Sequence, residues 1–435
     1  MKPDRDSRQT LAIVAGCRTP FCKAGSELEG ASAADLATHV FRELLDRTGF
    51  DPRGIDEVIL GCGGPDAREA NVARVAALRA GVPQEVPAVT VQRNCASGMD
   101  ALFEAELRLR AGDGEVFLVG GTESMSNFPL LMGKRLTRFF GRLAKARSLP
   151  QKALAFASFR PGMLAPRIAL QEGLTDPVSG LIMGLTAENL ARRFGIGRAE
   201  QDRFALRSHE RAERAQKDGR FAREIAPLAA PPRYRSLLAA DNGIRYGQSL
   251  DALARLRPVF DRREGDVTVG NACQVSDGAT GLLVMSLARA QALGMTPLAT
   301  VRGQARAGLA PEVMGLGPVH ATPKALAAAG LGFGDLELFE INEAFAAQVL
   351  ACERAFASER FCREQLGLPR ALGEIDPQLL NVNGGASALG HPIAASGARL
   401  VLTLAHELRA RGKRYGLASL CIGGGQGQAV ILEAA

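Results

Sequence analysis

Four side chains in this chain stand where chemistry is easy to arrange: Cys95 in VQRNCASGMD, Asn342 in FEINEAFAAQ, His391 in NVNGGASALGHPIAASGAR and Cys421 in CIGGGQGQA. Each lies where a β-run meets a turn or a helix, so backbone N–H groups are free and small neighbours let a ligand approach. Cys95 precedes a helix pattern that opens at about Ala101. The positive end of that helix favours a thiolate, and the cysteine's own N–H can face an oxyanion. A buried cysteine is more often a small core residue, but Asn94, Ser97 and Gly98 are poor core neighbours. His391 is one of five histidines and the one framed by Gly390 and Pro392. Cys421 ends a β-run before three glycines, a setting that suits a general acid or base. Asn342 and Glu343 read either as an amide fixing a water or as a helix N-cap.

An internal repeat positions these residues. Cys95 to Gly121 (CASGMDALFEAELRLRAGDGEVFLVGG) and His391 to Gly425 (HPIAASGARLVLTLAHELRARGKRYGLASLCIGGG) each carry Ser-Gly, a helix ending at Arg and Gly, and a β-run closing on glycines. Helix, stop and strand alternate upstream of both, which predicts buried sheets flanked by helices. The expected class is α/β: two duplicated βαβαβαββ halves, 1–126 with 267–290 and 291–435. Residues 127–266 are expected to form an inserted loop domain.

Composition bounds the rest. A chain of 435 residues with 46% hydrophobic and 23% charged residues has the balance of a globular protein with two or three domains. No window reaches membrane-spanning length, and the N-terminus MKPDRDSRQT has no signal-peptide core. The eight cysteines lack CxxC spacing, so neither a metal site nor a disulfide framework is expected, and reduced thiols in a cytoplasm fit. Net charge is +7, yet nine Lys and Arg fall between Lys134 and Arg167 with no Asp or Glu among them. Leu136, Phe139, Phe140 and Leu143 recur there at helical spacing. This basic amphipathic helix suits a membrane surface, a partner or acidic ligand phosphates, or packs on its own domain. Nucleic acid is not expected, because aromatic stacking modules are missing.

Taken together, Asn-Cys-Ala-Ser-Gly, Asn-Glu-Ala-Phe, Gly-His-Pro and Cys-Ile-Gly-Gly-Gly-x-Gly, in that order, resemble the thiolase family. The resemblance begins at AGCRTPFCKAGSELEG, includes GDVTVGNACQVSDGA, and covers nearly the whole chain. It implies the thiolase fold, with the two halves stacked as a five-layer αβαβα core. It also implies thiolytic cleavage of 3-ketoacyl-CoA in fatty-acid β-oxidation, with coenzyme A as co-substrate and no resident cofactor. Cys95 would carry the acyl group, His391 would be the base, and Cys421 would protonate the departing acetyl-CoA carbanion. One oxyanion site would be His391 with a water on Asn342, the other the N–H groups of Cys95 and Gly423. Met183 and Phe345 would line the acyl and pantetheine pocket, and Cys273 stands where many members place a pantetheine-contacting serine.

Departures shape the expectation. Ala394 follows Ile393 where glycine is usual, and Ile182 replaces a histidine of several short-chain members. The basic segment and ERAFASERFCREQLGLPRALGEIDPQLL resemble β subunits of trifunctional fatty-acid oxidation complexes, but those commonly carry His at the position of Asn342. The resemblance implies a homodimer or tetramer, and it leaves open a hydratase/dehydrogenase α subunit and peripheral contact of residues 134–167 with the inner membrane surface. An acetoacetyl-CoA thiolase working in the condensing direction is the nearest alternative. A β-ketoacyl synthase is disfavoured by the Cys421 loop, and a non-catalytic thiolase-like lipid or sterol binder by the intact catalytic trio.

Overall fold

The computed structural model describes residues 6–232, 234 and 236–435, so the first five residues of the polar N-terminus lie outside it. Its main sheet has ten strands. Those that matter here are β1 (Leu11–Arg18), β2 (Glu57–Gly61), β3 (Ala88–Val91), β4 (Val116–Ser124), β5 (Ser276–Ser286), β6 (Ala299–Gly308), β7 (Leu338–Ile341), β8 (Tyr415–Ile422) and β9 (Gln426–Ala434). They run in the order β7-β8-β9-β6-β1-β5-β4-β2-β3. The tenth, Cys22–Lys23, pairs with β5.

The order displays the duplication. From the first half, β2, β4, β5 and β1 lie side by side, with β2 parallel to β4 and antiparallel pairs thereafter. From the second half, β7, β8, β9 and β6 repeat that order and those directions. The halves meet at a narrow seam, Ala12 opposite Thr300 and Ile13 opposite Ala299.

Two helices occupy the centre, α2 (Ser97–Ala111) and α9 (Ile393–Arg411). Both are buried on nearly every side, as helices enclosed between two sheet faces must be. Their apolar residues share one core with those of strands from both halves. They cross at the repeated Ser-Gly step. A Cβ on Gly98 would lie 2.5 Å from the Ala394 carbonyl oxygen, and one on Gly397 would lie 2.8 Å from Cβ of Met99. Glycine is required at both for the backbones to approach. Outside the sheet lie α1 (Ala33–Thr48) on the first half, and α7 (Gly317–Ala329) and α8 (Ala346–Ala357) on the second.

The stretch between β4 and β5 contains α3 (Lys134–Lys145), α4 (Leu149–Ala157), α5 (Met183–Phe194) and α6 (Arg198–Lys217). Buried polar bonds fasten it to both halves. Arg18 of β1 donates to Asp241 at 2.6 and 2.9 Å and to Glu224 at 2.9 Å. Ser208 of α6 donates to Glu343, just after β7, at 2.7 Å. Among the described residues no helix is long and apolar enough to cross a membrane.

Candidate active site

The helix after Cys95 starts earlier than its pattern indicates. A 3-10 turn over Asn94–Ala96 runs directly into α2 at Ser97, four residues before Ala101. Asn94 enters that turn with φ +45°, a left-handed conformation that Asn tolerates better than most residues. Its side-chain amide donates to the Gly423 carbonyl at 2.9 Å, tying the nucleophile turn to the glycine loop after β8. The backbone N–H groups of Gly423 and of Cys95 itself both favour the charged form of the Cys95 sulfur. Two backbone donors therefore lie near Cys95 Sγ, as an oxyanion hole requires.

The pull of the helix start toward a thiolate is outweighed. Burial pushes the Cys95 thiol up to about 11, and the two N–H bonds only partly offset it. Removing water costs the anion more than the helix start and the amides return. Cys421, enclosed at the end of β8, is raised well above its ordinary value by burial and by the neighbouring thiols of Cys95, Cys352 and Cys273. Both cysteines rest as thiols.

His391 is the complementary group. Burial first, then the Arg399 charge further along α9, lower it to about 4, so the ring is neutral. Its tautomer follows from Ser396. The Ser396 hydroxyl donates to the Pro392 carbonyl at 2.9 Å and lies 2.6 Å from His391 Nδ1. With its only proton committed, that hydroxyl accepts from Nδ1–H, leaving Nε2 with a free lone pair. Asn342 Nδ2 lies 3.5 Å from Nε2. Asn342 is fully buried and its Oδ1 meets no protein donor.

The N-cap reading of Asn342 and Glu343 is corrected, since Phe345 holds the cap position of α8. Glu343 instead accepts from Ser208, from Asn381 at 2.8 Å and from the Ser387 N–H at 3.0 Å. Asn381 exchanges two bonds of 2.9 Å with the Ile341 backbone, which fixes the strand end before Asn342. Residues 272–275 stitch this loop to the histidine. Ala272 bridges Phe345, Cys273 donates to Ala344 at 3.1 Å, and the Gln274 carbonyl accepts from the His391 N–H at 3.1 Å.

Cys95, Gly423 and Met183 line one cavity of about 190 Å3, with Phe128, Leu170, Leu174 and Ile393 as its apolar walls. Met183, Phe345 and Cys421 belong to one apolar cluster, in which Phe345 meets Phe260 edge-to-face at 6.0 Å. Cys273 is pushed up to about 12 by burial and the nearby Cys95. All eight residues singled out from the sequence thus fall in this one region.

Two further residues that hold these loops in place gave little sequence signal. Ser396 looks like a helix residue, and Glu123 like the polar end of strand VFLVGGTES. Glu123 is buried and accepts from the N–H groups of Gly63 (3.0 Å), Gly64 (2.9 Å) and Ala394 (3.2 Å). Burial still raises it to about 7. It ties the loop after β2 to the start of α9, three residues beyond His391.

Comparison with known proteins places this geometry. Profiles of the thiolase N-terminal domain and the thiolase C-terminal domain match residues 11–288 and 295–434. The 3-ketoacyl-CoA thiolase of Pectobacterium carotovorum is 41% identical over 97% of this chain and 96% of its own. The acetyl-CoA acetyltransferase of Chromobacterium violaceum is 42% identical over 97% and 99%. Human mitochondrial 3-ketoacyl-CoA thiolase, solved in complex with CoA, superimposes with a TM-score of 0.84 at 36% identity, covering 98% of each chain.

Proposed function

The chain belongs to the thiolase family, and we propose that it is an acetyl-CoA C-acyltransferase cleaving 3-ketoacyl-CoA with coenzyme A. The observation that carries the substrate class is the Cys95 cavity. Its walls of Phe128, Leu170, Leu174, Met183 and Ile393 offer an acyl chain longer than acetyl an apolar place to lie.

Each residue has a part in the reaction. Cys95 Sγ attacks the 3-keto carbon while its proton passes to His391 Nε2. The developing alkoxide is held by a pair of donors, which supports the N–H groups of Cys95 and Gly423 as one such site. The C2–C3 bond breaks, the acyl group remains on Cys95, and the acetyl-CoA enolate takes its proton from the Cys421 thiol. The enolate oxygen calls for a second donor pair, and His391 with a water on the unsatisfied Asn342 suits it. The imidazolium returns its proton to the Cys421 thiolate. His391 then deprotonates coenzyme A, whose sulfur attacks the thioester; the bond to Cys95 breaks, the shortened acyl-CoA leaves, and the imidazolium returns that proton to Cys95 Sγ.

A second reading, acetoacetyl-CoA thiolase, is favoured by the name of the Chromobacterium relative. Strand β3 closes the sheet with a half-exposed, unpaired edge, which supports a homodimer formed by edge pairing.

Thiolysis across a series from acetoacetyl-CoA to 3-ketohexadecanoyl-CoA, followed by loss of the ketoacyl absorbance, tests the proposal. Cleavage of the longer substrates is expected. Turnover of acetoacetyl-CoA alone would move the assignment to the second reading. Binding of all chain lengths without turnover would leave a lipid binder. Cys95→Ser should form no acyl-enzyme, and Cys421→Ala should slow protonation of the carbanion more than acyl transfer.

A further inference from the structure

The Cys95 cavity shares a wall with a second space. Gly63 and Phe128 line the cavity, while Gly64 and Asn127 line a separate cleft of about 550 Å3. Neighbouring residues of two segments, the loop after β2 and the turn after β4, thus face opposite sides. Glycine backbone and one aromatic ring make the partition. A Cβ on Gly64 would lie 2.3 Å from two carbons of the Phe128 ring, so the ring rests directly on the glycine.

The two sides differ in chemistry. Beside Phe128 the cavity is lined by Leu170, Leu174, Met183 and Ile393. The cleft instead holds charged pairs. Arg79 donates to Asp35 at 3.0 Å and to Glu69 at 2.8 Å, and Arg68 donates to Asp66 at 2.9 Å. An acyl chain leaves water favourably on the first side, whereas on the second it would strip water from charged groups.

Both segments of the wall are anchored. Glu123 accepts from the N–H groups of Gly63 at 3.0 Å and Gly64 at 2.9 Å, and Gln92 donates to the Gly63 carbonyl at 3.3 Å. On the other segment, Asn127 donates to the carbonyls of Glu29 and Ala31 at 3.0 Å each and to Ser124 at 2.8 Å. The Ser126 N–H donates to Asp277 at 2.8 Å. The backbone that carries the Phe128 ring therefore has a fixed place.

We propose that Phe128, seated on Gly64, sets the longest acyl chain that the Cys95 cavity accepts. This rests on the 3-ketoacyl-CoA reading of that cavity. A lengthening chain gains apolar contact until it meets the ring, and beyond the ring lie only the charges of the cleft. Gly64 is the second half of the device, because the missing side chain lets the ring stand back from the cavity.

The test is kcat/KM for thiolysis from acetoacetyl-CoA to 3-ketohexadecanoyl-CoA, measured for the parent, Phe128→Ala and Gly64→Ala. The readout is the ratio of kcat/KM for 3-ketohexadecanoyl-CoA to that for 3-ketohexanoyl-CoA. Phe128→Ala should raise this ratio about 10-fold or more, as added apolar space for methylenes does. Gly64→Ala should lower it about 10-fold, because the new methyl drives the ring off its seat and into the cavity. Gly64 is not among the glycines with positive φ, so its backbone accepts alanine. Thermal unfolding reports that the variants fold, and a loss of stability alone would lower every kcat/KM together and leave the ratio unmoved. Equal ratios in the three proteins, or shifts of the same sign in both variants, would overturn the proposal and leave the 3-ketoacyl-CoA reading in place. A parent that cleaves acetoacetyl-CoA alone would remove that reading. Phe128→Ala would then still have to gain longer substrates, and its failure to do so would overturn the inference as well.

Discussion

Ser396 Oγ lies 2.6 Å from Nδ1 of His391 and, with its own proton on the Pro392 carbonyl at 2.9 Å, holds the imidazole proton on Nδ1. The two halves of the chain use this position in the same way. Ser97, the counterpart of Ser396 in the repeat, donates to the Asn94 carbonyl at 2.7 Å and accepts from the Arg93 N–H at 2.9 Å. In each half a serine beside the helix crossing holds the loop that carries a reactive residue.

Ser396→Ala should therefore leave the fold intact and lower kcat for thiolysis by about 10- to 100-fold, with KM for coenzyme A little changed. Ser396→Thr, which keeps the hydroxyl, should recover most of the loss. Steady-state kinetics of the three proteins checks this. Equal kcat in all three would remove Ser396 from the positioning role.

His391 and Cys95 rest as a neutral pair, so thiolysis should persist well below pH 6.5 and fail only as His391 protonates near its folded value of about 4. Stability has a matching sign. Between those values the unfolded chain binds the proton and the folded chain does not, so stability falls as pH drops through the window. The share of His391 is up to about 3 kcal/mol. Urea unfolding at about pH 7 and about pH 5 should show a smaller difference for His391→Gln than for the parent.

Because burial pushes the Cys95 thiol up to about 11, its alkylation by iodoacetamide should be slow at neutral pH. The rate should still be climbing at about pH 10. A plateau reached below about pH 8 would show a resting thiolate.

Asn94 has two separable duties, a left-handed backbone and the bond to the Gly423 carbonyl. Asn94→Gly keeps the first and loses the second, while Asn94→Ala loses both. The alanine variant should be less stable than the glycine variant by about 1 kcal/mol. Both should lower kcat, since the Gly423 N–H is no longer held near Cys95. Thermal unfolding with parallel kinetics separates the two duties.

Arg18 is fully buried against Asp241 and Glu224. Arg18→Met would leave two carboxylates enclosed without their cation, destabilising the protein by about 3–5 kcal/mol. Limited proteolysis of that variant should cut first between β4 and β5, where the lost bonds held the inserted stretch.

Much of the site was legible because thiolase chemistry leaves its residues beside glycines at strand ends, where few other demands explain them. Cys95, His391 and Cys421 stand out through the four motifs taken together, and the Ser-Gly repeat revealed two equivalent halves. The start of α2 was misplaced because its first residues are small and carry no hydrophobic period. The stripe of α3 was visible, but its direction depends on Phe156 and Phe159, which lie on other segments.

The sequence by itself determined the duplication, the setting of Cys95 and Cys421 beside their glycines and the concentration of positive charge, because each is carried by residue type and local order. Tertiary structure decided the protonation states, the tautomer of His391 and the true anchors of the Asn342 loop. Those depend on burial and on partners far along the chain, such as Ser208 with Glu343 and Asn94 with Gly423. A thiol's charge is set by the water packing removes and the N–H groups it brings near, and neither is local in sequence.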